Sequence, residues 1–292
     1  MEIRLAKIYD NFPTEEIRIE FLDEINVEEF EKIDIIIKEI EEFNSIGKLQ
    51  QFVIENDSQI INFLRQSSTE LLRNSKSWNS VRKADVEKVY YTTNRLLLNY
   101  LTSVKTFLDH SETKLNRKFG KNSEELNQFK NVTSFFYDNS FAYRFFYKLR
   151  NYAQHIGLPL TNIGFTTEDN REVNLMKRTL SAYFESSELV KKYDSWSIVK
   201  KDFENKASEI DLSTELYEMT HNIKEIGKCV KDLFEKPLIE KTVELKKMIE
   251  HLKDDNGIPF IAYDVRTKPN GELDNFTTID IPFEFIKSIG LN

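Results

Sequence analysis

The sequence predicts a mainly α fold, a bundle of long helices with a small β element formed by strands at the two ends of the chain. Three observations lead there. Gly and Pro number only 8 and 6 in 292 residues, so chain-breaking signals are scarce and the elements between them must be long. Apolar residues recur at three- and four-residue spacing through the middle of the chain, most regularly from Asp85 to Gly120. Near both ends the period changes to two, as in a half-buried strand.

At the N-terminus, residues 2–9 and 15–22 read as short strands. Ile17, Ile19 and Phe21 alternate with Glu16, Arg18 and Glu20, and Asn11-Phe12-Pro13-Thr14 supplies a turn. Asn26 followed by Glu29 forms a capping box, from which Val27, Phe30, Ile33, Ile37 and Ile40 continue a helix to Gly47. A second helical pattern runs to about Asn74, with an interruption expected at Asn56-Asp57-Ser58. The polar stretch 75–83, with Trp78, is the expected internal boundary.

From Asp85, the residues Val86, Val89, Thr93, Leu97, Tyr100, Val104, Phe107 and Leu108 hold a helical period, and Gly120 is the expected stop. Ser123 to Tyr137 predicts a shorter helix. Another follows from Phe141 to Ile156, capped by Asp138, Asn139 or Ser140. Its buried stripe is Ala142, Phe145, Leu149, Tyr152 and Ile156, widened by Phe146 and Ala153. A polar loop with Gly164 and Glu168-Asp169-Asn170 is expected after Pro159. Val173 to Phe184 fits helix and strand equally, and Ser187 to Lys206 reads as helix. Asp211 or Ser213 opens a long helical run to about Lys253, with a kink or break before Pro237. Pro259–Val265 and Phe276–Phe285 close the chain as a β-hairpin turned at Asn270-Gly271. The expected organisation is an N-terminal region 1–80, a helical bundle 81–254 and a C-terminal hairpin 255–292.

Composition narrows the function classes. A formal net charge of -8 disfavours general coating of nucleic acid. The single Cys229 leaves no intramolecular disulfide and no cysteine zinc cluster. There is no secretion signal and no run of 18 apolar residues, so a cytoplasmic protein without a membrane partner is expected. No P-loop, dinucleotide fingerprint, HExxH or GxSxG is present, and no cofactor or metal site is expected. His221 and His251 lack acids or a second His at ligand spacing.

What stands out is Leu149–Pro159, L-R-N-Y-A-Q-H-I-G-L-P. Arg150 is followed directly by the polar Asn151 and, five positions on, by His155. No acidic residue lies between Asp138 and Glu168, while Arg144, Lys148 and Arg150 are cationic, a basic island suited to a phosphate backbone. Arg144, Lys148, Asn151 and His155 share one helical stripe, and Arg95 on the preceding long helix is a further phosphate-binding candidate. Arg150 lies about 140° around the helix from His155, so one straight helix does not aim both at one point.

This stretch resembles the R-x(4–6)-H signature of the HEPN superfamily (higher eukaryotes and prokaryotes nucleotide-binding), many of whose members are metal-independent ribonucleases. Chance alone gives the bare spacing about 0.5 times in this composition; requiring Asn, Asp or His after the Arg lowers that to about 0.08. The resemblance implies a HEPN-like helical bundle and an endoribonuclease acting on single-stranded or structured RNA. In such an enzyme Arg150 stabilises the transition-state phosphate, His155 does acid–base work and Asn151 orients it, while Arg144, Lys148 and Arg95 bind RNA. The substrate 2′-OH is the nucleophile, so no metal is required. One motif per chain implies a homodimer with a composite cleft. A toxin or antiviral-defence role, with a regulatory or antitoxin partner, is typical of bacterial members. HEPN toxins governed by a partner nucleotidyltransferase often carry a Tyr two residues after the His; here Gly157 stands there. The alternatives are a non-catalytic helical dimeric interaction protein and an RNA- or nucleotide-binding module.

Overall fold

The computed structural model describes residues 2–10, 17–74, 81–170, 175–249, 252, 257–269 and 273–289. It corrects the expected fold class. Long helices are present, but they accompany two antiparallel sheets, one of four strands and one of three. The fold is therefore mixed α/β, not a mainly α bundle with one small β element.

Two compact units form, Met1–Ser45 with Asp232–Asn292, and Ile46–Lys231. This differs from the expected division at 80/81 and 254/255 because strand pairing draws both chain ends into one unit. In that unit, strands β1 (Ile3–Asp10), β2 (Ile17–Glu24), β6 (Ile258–Thr267) and β7 (Leu273–Asp280) lie in the order β2-β1-β6-β7. The terminal strands thus share one sheet, with Leu5 opposite Ile261 and Ala6 opposite both Phe260 and Phe21. The two turn motifs expected at 11–14 and at Asn270-Gly271 lie outside the described residues, Thr14 and Asn270 included.

Ile3, Leu5 and Ile261 of this sheet bury themselves with Ile33, Ile37 and Ile40 of helix α1 (Val27–Asn74) and Leu245 and Ile249 of helix α7 (Leu212–Ile249). Helix α8 (Phe283–Ser288) adds Phe285 and Ile286. The α1 capping box is formed as expected, Asn26 Oδ1 accepting from Glu29 N at 2.9 Å. Helix α1 runs through Gly47 and through Asn56-Asp57-Ser58, where breaks were expected. Val53, Ile60 and Leu64 are buried across this stretch, and their packing outweighs a weak local propensity of at most about 1 kcal/mol per residue. Helix α7 likewise continues through Pro237, between buried Phe234 and Leu238.

The unit Ile46–Lys231 contains helices α2 (Lys83–Phe119), α3 (Glu124–Asn139) and α4 (Phe141–His155). Strands β3 (Asn162–Asn170), β4 (Leu175–Glu185) and β5 (Glu209–Asp211) form its sheet, with short helices α5 (Ser186–Lys192) and α6 (Val199–Asn205) between β4 and β5. Gly120 ends α2 with φ 102°, the backbone conformation that favours glycine. Strand β3 occupies the expected polar loop. It is an edge strand, and an edge strand can be polar where it faces water. In β4, Leu180, Ala182 and Phe184 are buried at a period of two, resolving the ambiguity of Val173–Phe184 in favour of strand. The helix expected over 187–206 is split: Ser197 takes φ 54°, and beside it Trp196 turns fully inward, its Nε1 donating to Leu189 O at 3.1 Å.

Candidate functional site

Helix α4 is set in place at both ends. Ser140, one of its three candidate caps, accepts from Tyr143 N at 3.2 Å and from Asn222 Nδ2 at 2.8 Å, and donates to Glu218 Oε1 at 2.6 Å. Beyond the C-terminus, Leu160 N donates to the buried Asn94 Oδ1 at 3.0 Å, and Tyr90 OH donates to Leu160 O at 2.9 Å. The helix packs against α2, α3 and α6. Its inner face is largely aromatic: the Phe145 ring meets those of Phe141, Phe146, Phe184, Trp196 and Phe203 at centroid separations of 5.0–6.1 Å. Ala142, Phe145, Phe146, Leu149 and Tyr152 are buried as the periodicity requires, whereas Ile156, past the last helical residue, is 45% exposed. Burial also raises the Tyr143 and Tyr152 hydroxyls above the ordinary phenol range.

A surface of restricted geometry remains. Tyr147, Gln154 and His155 are exposed, and Lys148, Arg150 and Asn151 are half-buried. His155 ends the helix, and its side chain has no hydrogen bond or ion pair among the described residues; the same holds for the side chains of Lys148 and the exposed Arg95. Arg150 Nη1 donates to Asn151 Oδ1 over 3.4 Å, a long contact that leaves most of the guanidinium free. The Asn151 amide therefore addresses Arg150, not the His155 ring it was expected to orient.

Arg144 departs from its expected role. It is 8% exposed, its Nε and Nη2 donate to Asp202 Oδ2 and Oδ1 at 3.0 and 3.1 Å, and its Nη1 donates to the carbonyls of Tyr137 and Asp138 at 2.8 and 2.9 Å. These contacts engage four of the five N–H donors of an almost wholly buried guanidinium, so it is a structural clamp between α4 and α6 and not a free RNA-binding cation. No acidic residue follows Arg144 in the sequence until Glu168, but the fold supplies a carboxylate from 58 residues away.

Arg150 and Asn151 border a small cavity of about 20 Å³, room for roughly one water. Leu101, Val104, Leu108, Phe146 and Met219 give it an apolar floor, and Lys105 and Tyr147 complete the rim. His155 does not line it. One chain thus brings Arg150 and Asn151 together and leaves His155 further along the same surface, as the angular separation requires. Lys105 and Tyr147 were missed in the sequence. Tyr147 could have been found, since it sits three and four residues before Arg150 and Asn151; Lys105 arrives only through the packing of α2 on α4.

Among the described residues no group of three His, Cys, Asp or Glu side chains gathers to hold a metal, and no helix is long and apolar enough to cross a membrane. Comparison with known protein families, with curated proteins and with solved structures finds no match.

Proposed function

We infer that this protein is a metal-independent endoribonuclease of HEPN type, with Arg150 on the phosphate and His155 as the proton-transfer group. The observation that supports this reading is a contrast within one helix. Most of α4 is buried and its other arginine is neutralised by Asp202, yet Arg150 and His155 remain accessible. A helix held by caps at one end and a pinned loop at the other is a rigid platform for such groups.

The chemistry follows from RNA itself. A base takes the 2′-OH proton, the oxygen attacks the adjacent phosphorus, and the 5′-oxygen leaves with a proton from an acid. The products are a 2′,3′-cyclic phosphate and a 5′-hydroxyl. An imidazole, with an ordinary pKa of about 6.5, serves either role, and a guanidinium offers paired donors to the phosphorane oxygens. Because Arg150 and His155 diverge on one helix, the complete site is a cleft between two copies of α4 in a homodimer. A cytoplasmic defence or toxin role under a regulatory partner accords with the motif. The experiment is cleavage of single-stranded RNA by purified protein in EDTA, with DNA as control. Cyclic-phosphate ends and intact DNA are expected; intact RNA over the same course overturns the reading. RNA bound but never cut favours the second reading, a binding module, which is supported by the absence of His155 from the cavity bordered by Arg150.

A further inference from the structure

We propose that Tyr147 receives an unpaired base of the RNA by stacking, beside a phosphate held by Arg150. This rests on the RNA reading of α4 and deepens it by naming a further substrate-binding residue. Tyr147 is 41% exposed on a helix whose other five aromatic side chains are all buried. At 100° per residue, Arg150 and Asn151 lie one turn beyond it and about 60° and 40° to either side. A cation and an amide thus bracket an accessible ring.

The surroundings hold that ring in position. Tyr137 meets it edge-on at 6.2 Å with an interplanar angle of 89°, and Lys105 Nζ lies 5.9 Å from its centroid. Beneath it, Phe146, Leu101 and Met219 are almost wholly buried, so the floor does not yield. A ring fixed in this way loses little freedom when a base stacks on it.

Cavity size decides how the base binds. About 20 Å³ cannot admit a nucleobase, so the base lies across the ring instead of entering a pocket. Stacking of this kind tolerates any base, and the Asn151 amide can add a hydrogen bond to a base edge. Lys105 is already paired with Asp109 at 2.5 Å, which leaves Arg150 as the stronger phosphate anchor. Further along, Tyr147, Asn151 and His155 follow one i, i+4, i+8 ridge, and His155 stands about 12 Å from Tyr147 along the axis. The stacked base and the imidazole therefore address different points of one strand. A duplex keeps its bases inside the helix and offers nothing to the ring.

The test measures binding of a fluorescent single-stranded RNA and of the matching duplex to the full chain carrying His155→Ala, which removes cutting. In that background Tyr147→Ala is expected to weaken single-strand binding roughly 5- to 100-fold and Tyr147→Phe to leave it within about 2-fold. Duplex binding should be weaker and indifferent to both changes. Tyr147→Trp gives an independent reading, with indole fluorescence expected to be quenched on adding the single strand. If Tyr147→Ala binds the single strand as well as its parent while Arg150→Ala does not, stacking is refuted and the RNA reading stands. If the parent binds no RNA, both fall together. Equal sensitivity of duplex and single strand to Tyr147→Ala also overturns the proposal.

Discussion

Replacing Arg144 with Ala separates structural from RNA-binding cations on α4. The guanidinium makes two hydrogen bonds to Asp202 and two to the carbonyls that end α3, all between 2.8 and 3.1 Å. Removing one partner of a fully buried pair costs about 3–5 kcal/mol, because the other charge is left uncompensated. The Asp202 side chain keeps 22% exposure and regains some hydration, which lowers the expectation to about 2–4 kcal/mol. Urea unfolding of the full chain should show that loss. Arg144→Met with Asp202→Asn should recover part of it, since the pair is then removed together. Under conditions where Arg144→Ala is folded, its affinity for single-stranded RNA should match wild type, whereas Arg150→Ala should bind more weakly with stability unchanged. An Arg144→Ala protein of normal stability that has lost RNA binding would refute the assignment of this arginine to the fold.

Three further outcomes are expected. Ser140→Ala removes the α4 cap and strands Asn222, and should cost about 1–2 kcal/mol in urea unfolding; a loss within error would show the cap to be dispensable. Burial holds the Asp57 carboxyl above its usual range, opposed by Lys224 and Thr220, so the native state binds that proton more tightly than the unfolded chain. Its stability contribution is then full below the ordinary aspartate value and declines as pH rises through the raised native value. Asp57→Asn should gain on wild type as pH rises, and an unchanged difference across that window would contradict the assignment. Deleting residues 257–292 removes β6, which pairs with both β1 and β7, and should leave the protein aggregated or lacking cooperative unfolding; a truncated chain of normal stability would show that the sheet does not depend on its C-terminal strands.

Much of the helical architecture was legible because it depends on local signals. The Asn26–Glu29 box, the Gly120 stop and the Ser140 cap each act within a few residues, and all three stand where the sequence puts them. The second sheet was hidden because β3 is a polar edge strand whose partner, β4, fitted helix and strand alike. Gly47 and Asn56-Asp57-Ser58 misled because propensities of a fraction of a kcal/mol were weighed without the packing of Val53 and Ile60. At the candidate site, the half-buried position of Arg150 and the exposed position of His155 follow from helical phase alone. The neutralisation of Arg144 by Asp202 and the approach of Lys105 to Tyr147 depend on tertiary contacts that no local spacing encodes.

The central claim is that His155 transfers protons in a cleft completed by a second copy of α4. The most direct measurement is the rate of RNA cutting by mixed dimers that pair one wild-type subunit with one His155→Ala subunit, assayed in EDTA beside the two pure dimers. The expected rates are a loss of about 10²–10⁴ for pure His155→Ala and a similarly severe loss for the mixed species. A mixed dimer with half the wild-type rate would show each subunit to hold a complete site, and a pure His155→Ala dimer cutting at the wild-type rate would remove His155 from the chemistry altogether.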